Sequence, residues 1–127
     1  MNILVTAIGS MSAECVISSL KKEGHFVLGC DIYPREWHYV AKLCNAFEQA
    51  PLAKSSEYIP FLLNLVKEFK IQYLFPLTDL EIDVLTNVRE LFLENGCIVC
   101  ISSPKTITIA RDKHRLYTVF KNDINVP

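Results

Sequence analysis

The sequence predicts a single α/β domain with an open, mainly parallel sheet of about five strands and helices on both faces. Length and composition fit this class, because the chain has 127 residues and 50% of them are hydrophobic, enough to bury the core of one domain. Short apolar runs alternate with segments of helical period, and little linker separates them. That alternation is typical of βαβ units, in which consecutive strands lie parallel.

In the first half, the pattern predicts a strand, a helix and a second strand. Residues 2–6 are an apolar run, and residues 12–23 place apolar side chains at i, i+3, i+4 and i+7 before a glycine that suits the position after a helix. Residues 25–32 are apolar nearly throughout, as expected of a strand covered on both faces. The pattern then becomes irregular, and we expect a short helix near residues 37–43 and an edge strand near residues 46–49.

The second half continues the alternation of helices and strands. Residues 55–70 have the helical period and lead into a buried strand at residues 71–75, which a proline closes. A helix at residues 78–94 and a strand at residues 97–101 follow. Ser103 and Pro104 have the pattern of a helix cap followed by a proline at the first helical position, and the last predicted helix covers residues 112–121. The carboxyl ends of these strands should meet at one edge of the sheet.

Charge and cysteine content exclude several classes of function. Lys plus Arg number 13 and Asp plus Glu 14, so the chain lacks the positive charge that draws proteins to nucleic acid or anionic membranes. No apolar run approaches the roughly 20 residues of a spanning helix, and the chain starts with a strand rather than a charged leader. The 5 cysteines are an odd set, which favours free thiols. We expect a cytoplasmic protein whose partner is a small molecule or another protein surface.

Cys97 and Cys100 have the spacing of a redox or zinc motif, but they fall in a predicted strand. Residues three apart on a strand point to opposite faces, because strand side chains alternate. We therefore interpret both as small buried side chains and expect no metal site. His38 and Cys44 are isolated in the sequence, and we interpret them in the same way.

Ligands of open α/β sheets bind beyond the carboxyl ends of the strands, which points to Gly9, Ser10 and Asp31. The turn that contains Gly9 has one glycine where a dinucleotide fingerprint has three, so this turn is a poor phosphate cradle. Asp31 stands where an acidic residue often holds a ribose hydroxyl, but a polar residue is also what ends a buried strand. Both interpretations of Asp31 stay open.

Thr78, Asp79 and Glu81 follow a predicted strand at the same edge. They fit a capping box, in which the Thr78 hydroxyl accepts from the amide three residues on and Glu81 reaches back to the cap. The helix dipole also favours acidic residues in a first turn. The spacing of these residues is explained by capping alone, and substrate binding is the second interpretation.

Lys113 would share a helix face with Leu116, Tyr117 and Phe120, at i, i+3, i+4 and i+7. An amine on an apolar face can reach a ligand phosphate, although lysine stems also cover apolar surface while the head stays in water. This apolar face must pack against another surface, because a helix this short is only marginally stable in water without tertiary packing. We expect it either to dock on its own sheet or to pair with a second copy in a homodimer, and we favour the homodimer.

Three strings, in this order, resemble the N-terminal segment of ATP-grasp ligases, especially those similar to the carbamoyl-phosphate synthetase large subunit. They are Phe75-Pro-Leu-Thr-Asp79-Leu-Glu81, Ile101-Ser-Ser-Pro104, and Asp112-Lys113 leading to Asn125-Val-Pro127. The resemblance implies a Rossmann-like preATP-grasp domain at residues 1–111 and a linking helix at residues 112–127. That helix would lead to an ATP-grasp module, on the same or a separate chain.

The resemblance also implies roles for single residues. Lys113 would be the lysine that reaches nucleotide phosphates, and ATP and Mg²⁺ would serve the complete enzyme. The family's glycine-rich flap and magnesium-binding acids would lie beyond Pro127, so we expect no tightly bound nucleotide and no ligase activity from these residues alone. With Asp31 added for its position, the candidate substrate-binding residues are Gly9, Ser10, Asp31, Thr78, Asp79 and Glu81.

Two alternatives share the fold. An NAD(P)-binding domain of an oxidoreductase would use Asp31, but its first turn should carry a second glycine. A receiver-like signalling module needs acidic residues after the first strand, where this chain has Ala7, Ile8 and Gly9. Both alternatives fit the residues less well than the ligase domain does.

Overall fold

The computed structural model describes residues 1–123, in which strands alternate with helices. Short 3-10 turns at Arg35–Trp37 and Tyr39–Lys42 connect the second strand to the third. The strands are β1 (Asn2–Val5), β2 (Phe26–Asp31), β3 (Ala46–Gln49), β4 (Tyr73–Phe75) and β5 (Ile98–Val99), and the helices are α1 (Ala13–Lys22), α2 (Tyr58–Glu68), α3 (Asp79–Thr86), α4 (Arg89–Glu94), α5 (Pro104–Arg111) and α6 (Lys113–Phe120).

The sheet has 5 strands in the order β3-β2-β1-β4-β5, and every neighbouring pair is parallel. β1 is central, with Leu4 paired to Leu28 of β2 and to Leu74 of β4. Because β1 has β2 on one side and β4 on the other, the loops that follow these strands meet at one edge. The predicted open parallel sheet of about five strands is confirmed.

Helices cover both faces of the sheet, as the continuous apolar strands require. On one face, Leu4 and Leu28 pack with α2, α3 and α4. On the other face, Ile3 and Val27 pack with α1 and the 3-10 turns. Side chains of this kind stabilise the fold by about 1.5–3 kcal/mol each when fully buried. α5 and α6 contribute no buried residue to either cluster.

The predicted helix at residues 78–94 is two helices, α3 and α4. Val88 leaves helical geometry between them, with φ −124° and ψ 12°, and packs against the core cluster on that face. The break lets α4 bury Phe92 completely. A sequence period cannot show such a change of direction, because apolar residues on both sides keep the helical spacing.

The carboxyl-terminal region has two short helices: α5 begins at the cap and proline that the sequence predicts, and α6 lies within the predicted helix at residues 112–121. Ser103 caps α5 through its side chain, which accepts from the amide of Thr106, and Pro104 opens the helix. Asp112 caps α6 by accepting from the amides of His114 and Arg115. The Asn125-Val-Pro127 string and the end of the predicted linking segment lie outside the described residues.

The irregular stretch after β2 contains the two 3-10 turns in place of the predicted short helix, and the predicted edge strand at residues 46–49 is confirmed as β3. No helix among the described residues has the length and apolar character that crossing a membrane requires.

Candidate functional site

A cleft of about 390 Å³ opens beyond the carboxyl ends of β1, β2 and β4, at the edge that the sequence analysis proposed for ligand binding. Its walls are mainly apolar, and two buried carboxylates belong to its lining. The cleft is lined by Ala7, Gly9, Ser10, Asp31, Ile32, Tyr33, His38, Leu52, Ala53, Tyr58, Thr78, Leu80 and Glu81.

The turn after β1 forms one wall of the cleft. Ala7 adopts a φ of +49°, a region that residues with a Cβ rarely occupy. The Ser10 amide donates to the Ala7 carbonyl at 2.9 Å, and the Ile8 amide donates to the Cys30 carbonyl at 3.2 Å. These bonds hold the strained turn and present Gly9 and Ser10 to the cleft. Strain of this kind concentrates at functional sites.

Asp31, the last residue of β2, joins this turn to the next loop. Its Oδ2 accepts from the Gly9 amide at 2.8 Å and its Oδ1 from the Tyr33 amide at 3.1 Å. A carboxylate can be buried only when its oxygens accept hydrogen bonds, and here two backbone amides donate them. A carboxylate offers about four acceptor positions, so Asp31 keeps capacity for a ligand.

His38 also belongs to the site, although the sequence analysis interpreted it as an isolated buried residue. Its side chain is only 9% exposed, and Nε2 lies 3.2 Å from Oδ1 of Asp31. The contact is an electrostatic one rather than a well-directed hydrogen bond. Nothing in the spacing links these residues, because an irregular loop brings His38 back over Asp31.

Gly9 permits this packing. A Cβ at position 9 would lie 2.7 Å from Cε1 and 3.0 Å from Nδ1 of His38, and 3.1 Å from Oδ2 of Asp31. These separations are shorter than side chains normally allow, and the buried imidazole has little room to move. The single glycine of the turn therefore serves close side-chain packing in this structure.

Glu81 is the second buried carboxylate. Its Oε1 accepts from the Tyr58 hydroxyl at 2.7 Å and its Oε2 from the Thr78 hydroxyl at 2.9 Å. The predicted capping box is therefore wrong, since Thr78 donates to the Glu81 side chain and makes no side-chain cap to the backbone. The hydroxyls of Tyr58 and Thr78 stabilise the fold more than a helix cap would, because they donate to a Glu81 carboxylate that would otherwise be buried without partners.

Tyr58 is a site residue that the sequence analysis did not identify. Burial raises the pKa of its hydroxyl far above the usual range, and the neighbouring Glu81 carboxylate raises it further. The hydroxyl therefore stays protonated and acts as a donor to Glu81. Tyr58 opens α2, more than twenty residues before Glu81 in the sequence, and only the packing of α2 beside α3 brings the two together.

Asp79 is separated from the other candidates. Its exposed carboxylate pairs with Arg111 of α5, which also binds Asp83 of α3 at 2.9 Å. Asp79 is not among the residues that line the cleft. Of the six candidate substrate-binding residues, the structure thus brings Gly9, Ser10, Asp31, Thr78 and Glu81 together and places Asp79 with α5.

Lys113 lies at the start of α6, exposed and outside the cleft lining. Its proposed contact with nucleotide phosphates stays a prediction. The face it was expected to share is exposed as well, since Leu116, Tyr117 and Phe120 are each at least 38% accessible.

The cysteines form neither a metal-binding cluster nor a disulfide in the part of the chain that the structure describes. No cluster of three or more His, Cys, Asp or Glu side chains among residues 1–123 could hold a metal ion, and all 5 cysteines are free thiols. Burial raises the pKa of Cys44 to about 11 and that of Cys97 to about 12. Both thiols therefore stay protonated near neutral pH, as expected of small core side chains.

The close packing at Gly9 leads to a stability prediction. Gly9→Ala should lower the free energy of unfolding by about 1–3 kcal/mol, because the new methyl overpacks the imidazole. In a His38→Ala background the same change should cost much less, and Ser10→Ala should cost little in either. Chemical denaturation of the unmutated chain and the five variants measures this. An equal cost of Gly9→Ala in both backgrounds would contradict the steric explanation.

Comparison with known proteins agrees with this geometry. Residues 3–100 match the family model described as PylC-like, N-terminal domain. No curated protein sequence matches the chain significantly.

Solved structures show the same fold. The chain is similar to the biotin carboxylase domain of a single-chain bacterial carboxylase, with a TM-score of 0.67 and 13% identity over 95% of this chain and 29% of that one. It is similar to glycinamide-RNase-transformylase T from Mycobacterium tuberculosis, with a TM-score of 0.67 and 11% identity over 100% and 36% of the two chains. UDP-glucose 4-epimerase from Thermotoga maritima aligns less closely, with a TM-score of 0.52 and 16% identity over 76% and 35%.

The chain spans between 29% and 36% of the length of these solved chains. The family match covers most of the chain. The chain belongs to the family of PylC-like N-terminal domains and has the Rossmann-like preATP-grasp fold.

Proposed function

We propose that the chain is the substrate-side domain of an ATP-dependent carboxylate-amine ligase and that its cleft holds the amine-bearing substrate. The Glu81 carboxylate carries this proposal. Two neutral hydroxyls, from Tyr58 and Thr78, satisfy part of its acceptor capacity without neutralising its charge. The remaining lone pairs suit the N–H donors of an ammonium, which form stronger bonds with an ionised acceptor.

The charge of the cleft supports the same ligand class. Asp31 and Glu81 are the formal negative charges of the lining, and among the described residues neither a lysine nor an arginine belongs to it. Apolar walls lower the local dielectric and strengthen the attraction of these carboxylates for a cation. The same field disfavours phosphate groups in this cleft.

The surrounding residues would act by positioning. Tyr58 and Thr78 fix the orientation of the Glu81 carboxylate, and the amides of Gly9 and Tyr33 fix that of Asp31. A substrate amine held by such preorganised acceptors loses its freedom before the reaction, which is how positioning lowers a barrier.

ATP and Mg²⁺ belong to the complete enzyme in this proposal. Phosphoryl transfer requires a metal ion and clamped phosphates. The described residues contain no metal-binding cluster, and Lys113 is exposed and outside the cleft, so the fit is poor and no step of that reaction is assigned to them. The narrower assignment to ligases similar to carbamoyl-phosphate synthetase and the cytoplasmic location stay predictions.

An NAD(P)-binding domain is the alternative on the same fold. Its acidic residue after the second strand would hold a ribose hydroxyl. In this chain the Asp31 carboxylate already accepts from the amides of Gly9 and Tyr33, and His38 fills the space beside Gly9. That packing favours a small amine over a dinucleotide. A receiver-like module is disfavoured by the apolar residues that follow β1.

The proposal can be tested with a minimal amine. Ethanolamine should perturb NMR amide signals of the turn after β1 and of Thr78 to Glu81, with weak affinity. Glu81→Gln should abolish the perturbation, because it removes the charge and keeps the shape. Asp79→Asn is the matched control and should bind normally, since Asp79 faces Arg111. Equal loss in both variants, or no perturbation in the unmutated chain, would contradict the assignment of Glu81.

The nucleotide should bind poorly to these residues. We expect dissociation constants for ATP-Mg²⁺ in the millimolar range or weaker, because Lys113 is the one candidate phosphate ligand. Calorimetric titration measures this directly, with Lys113→Ala as the control for whatever weak binding occurs. Micromolar affinity for ATP would show that the nucleotide site is already complete.

The apolar side chains of α6 mark the proposed partner surface. Leu116, Tyr117 and Phe120 are exposed, and α6 contacts mainly α5, so the described residues do not show this helix docked on its own sheet, which was the alternative to the favoured homodimer. We propose that an ATP-grasp module covers these side chains in the complete enzyme and that two copies of the 127-residue chain pair through them when the module is absent.

Sedimentation tests the pairing. The unmutated chain should dimerise with rising concentration, while the double variant Leu116→Asp with Phe120→Asp should be a folded monomer, because two carboxylates cannot be buried in an apolar contact. Thr118→Asp, which adds one carboxylate to the same helix, is the control and should still dimerise. A monomeric unmutated chain at high micromolar concentration would rule out the homodimer.

A further inference from the structure

The mouth of the cleft is unusually apolar for a solvent-exposed surface. Ile32, Tyr33, Leu52 and Leu80 all belong to its lining and are 38% to 64% exposed. They surround the entrance to two buried carboxylates. Contiguous exposed apolar groups around a few convergent polar atoms are typical of small-molecule sites.

Tyr33 is held firmly in this mouth. Its amide donates to Asp31, and its ring stacks on Trp37 with centroids 5.4 Å apart and an interplanar angle of 21°. On the inner side it tilts against the ring of His38 at 6.4 Å, and His38 in turn packs against Phe47 at 6.3 Å. This row of four rings runs from the surface into the core.

The row of rings makes Tyr33 a preformed contact rather than a mobile side chain. Trp37, at the outer end of the row, is 71% exposed. It stacks on Tyr33 from the solvent side and does not cover the cleft. A ring fixed before binding loses little conformational entropy when a ligand packs on it. Leu52 and Leu80 offer further apolar contact around the same entrance.

We propose that the cleft selects a primary amine bearing an apolar group about the size of a ring, with the ammonium at the carboxylates and the apolar group against Tyr33 and Leu52. The inference rests on the proposed function and narrows its substrate class. Neither end alone gives the full affinity: a small polar amine leaves the apolar mouth in contact with water and binds weakly, and an apolar acid brings like charge to Asp31 and Glu81.

The single tryptophan of the chain provides a direct readout, because Trp37 stacks on the ring that would contact the ligand. Phenethylamine, ethanolamine and phenylpropionate are titrated while Trp37 fluorescence is followed, with calorimetry as the second measurement. Phenethylamine should bind at least about tenfold more tightly than ethanolamine, from burial of its ring. Phenylpropionate should not bind measurably.

Variants separate the two ends of the ligand. Tyr33→Ala and Leu52→Ser, followed by calorimetry, should weaken phenethylamine severalfold and leave ethanolamine unchanged. Tyr39→Ala is the matched control, because Tyr39 is an exposed aromatic on the same loop that does not line the cleft. Glu81→Gln should weaken both amines.

Three other outcomes would contradict part or all of the proposal. If the two amines bind equally and both depend on Glu81, the apolar selectivity is wrong while the proposed function stands. If phenylpropionate binds as well as phenethylamine, the cleft is an apolar pocket and the amine class is overturned together with the proposed function. If Tyr39→Ala weakens phenethylamine as much as Tyr33→Ala does, the contact is not at the cleft mouth.

Discussion

The Asp31 carboxylate organises the functional edge of this domain. It accepts one hydrogen bond from a backbone amide of the turn after β1 and another from an amide of the loop after β2. These two hydrogen bonds join the two loops into one wall of the cleft. The His38 imidazole packs on the same carboxylate, and it occupies space that a Cβ at position 9 would fill. The cost of burying the charge is offset by these donors, and the shape of the cleft follows from them.

Two acidic residues of the same helical turn have opposite environments. Glu81 is buried between the hydroxyls of Tyr58 and Thr78, whereas Asp79 is exposed and pairs with Arg111. Exposed ion pairs contribute little stability, so the pair of Asp79 with Arg111 explains why Asp79 faces α5 but adds little to the fold. A buried carboxylate that neutral donors hold without a balancing cation is a better candidate for binding a ligand cation.

The fold alone does not distinguish among activities. Carboxylase domains, a transformylase and an epimerase all share it at low identity, and one fold supports many chemistries. What separates this cleft from a dinucleotide site is local: the imidazole beside Gly9, the absence of lysine and arginine from the described lining, and the apolar mouth around Tyr33. Each of these favours a small cationic ligand.

The sequence by itself determined the parallel sheet, the edge at which the candidate cleft opens, and five of the residues that line it, because apolar periodicity and strand ends are local properties of the chain. It also carried the family resemblance through the strings around Asp79 and Asp112. Only the tertiary structure decided that Glu81 turns inward while Asp79 turns outward, that Val88 breaks a long helix, and that Tyr58 and His38 join the site. Those outcomes depend on contacts between segments far apart in the chain, and no spacing within one segment records them.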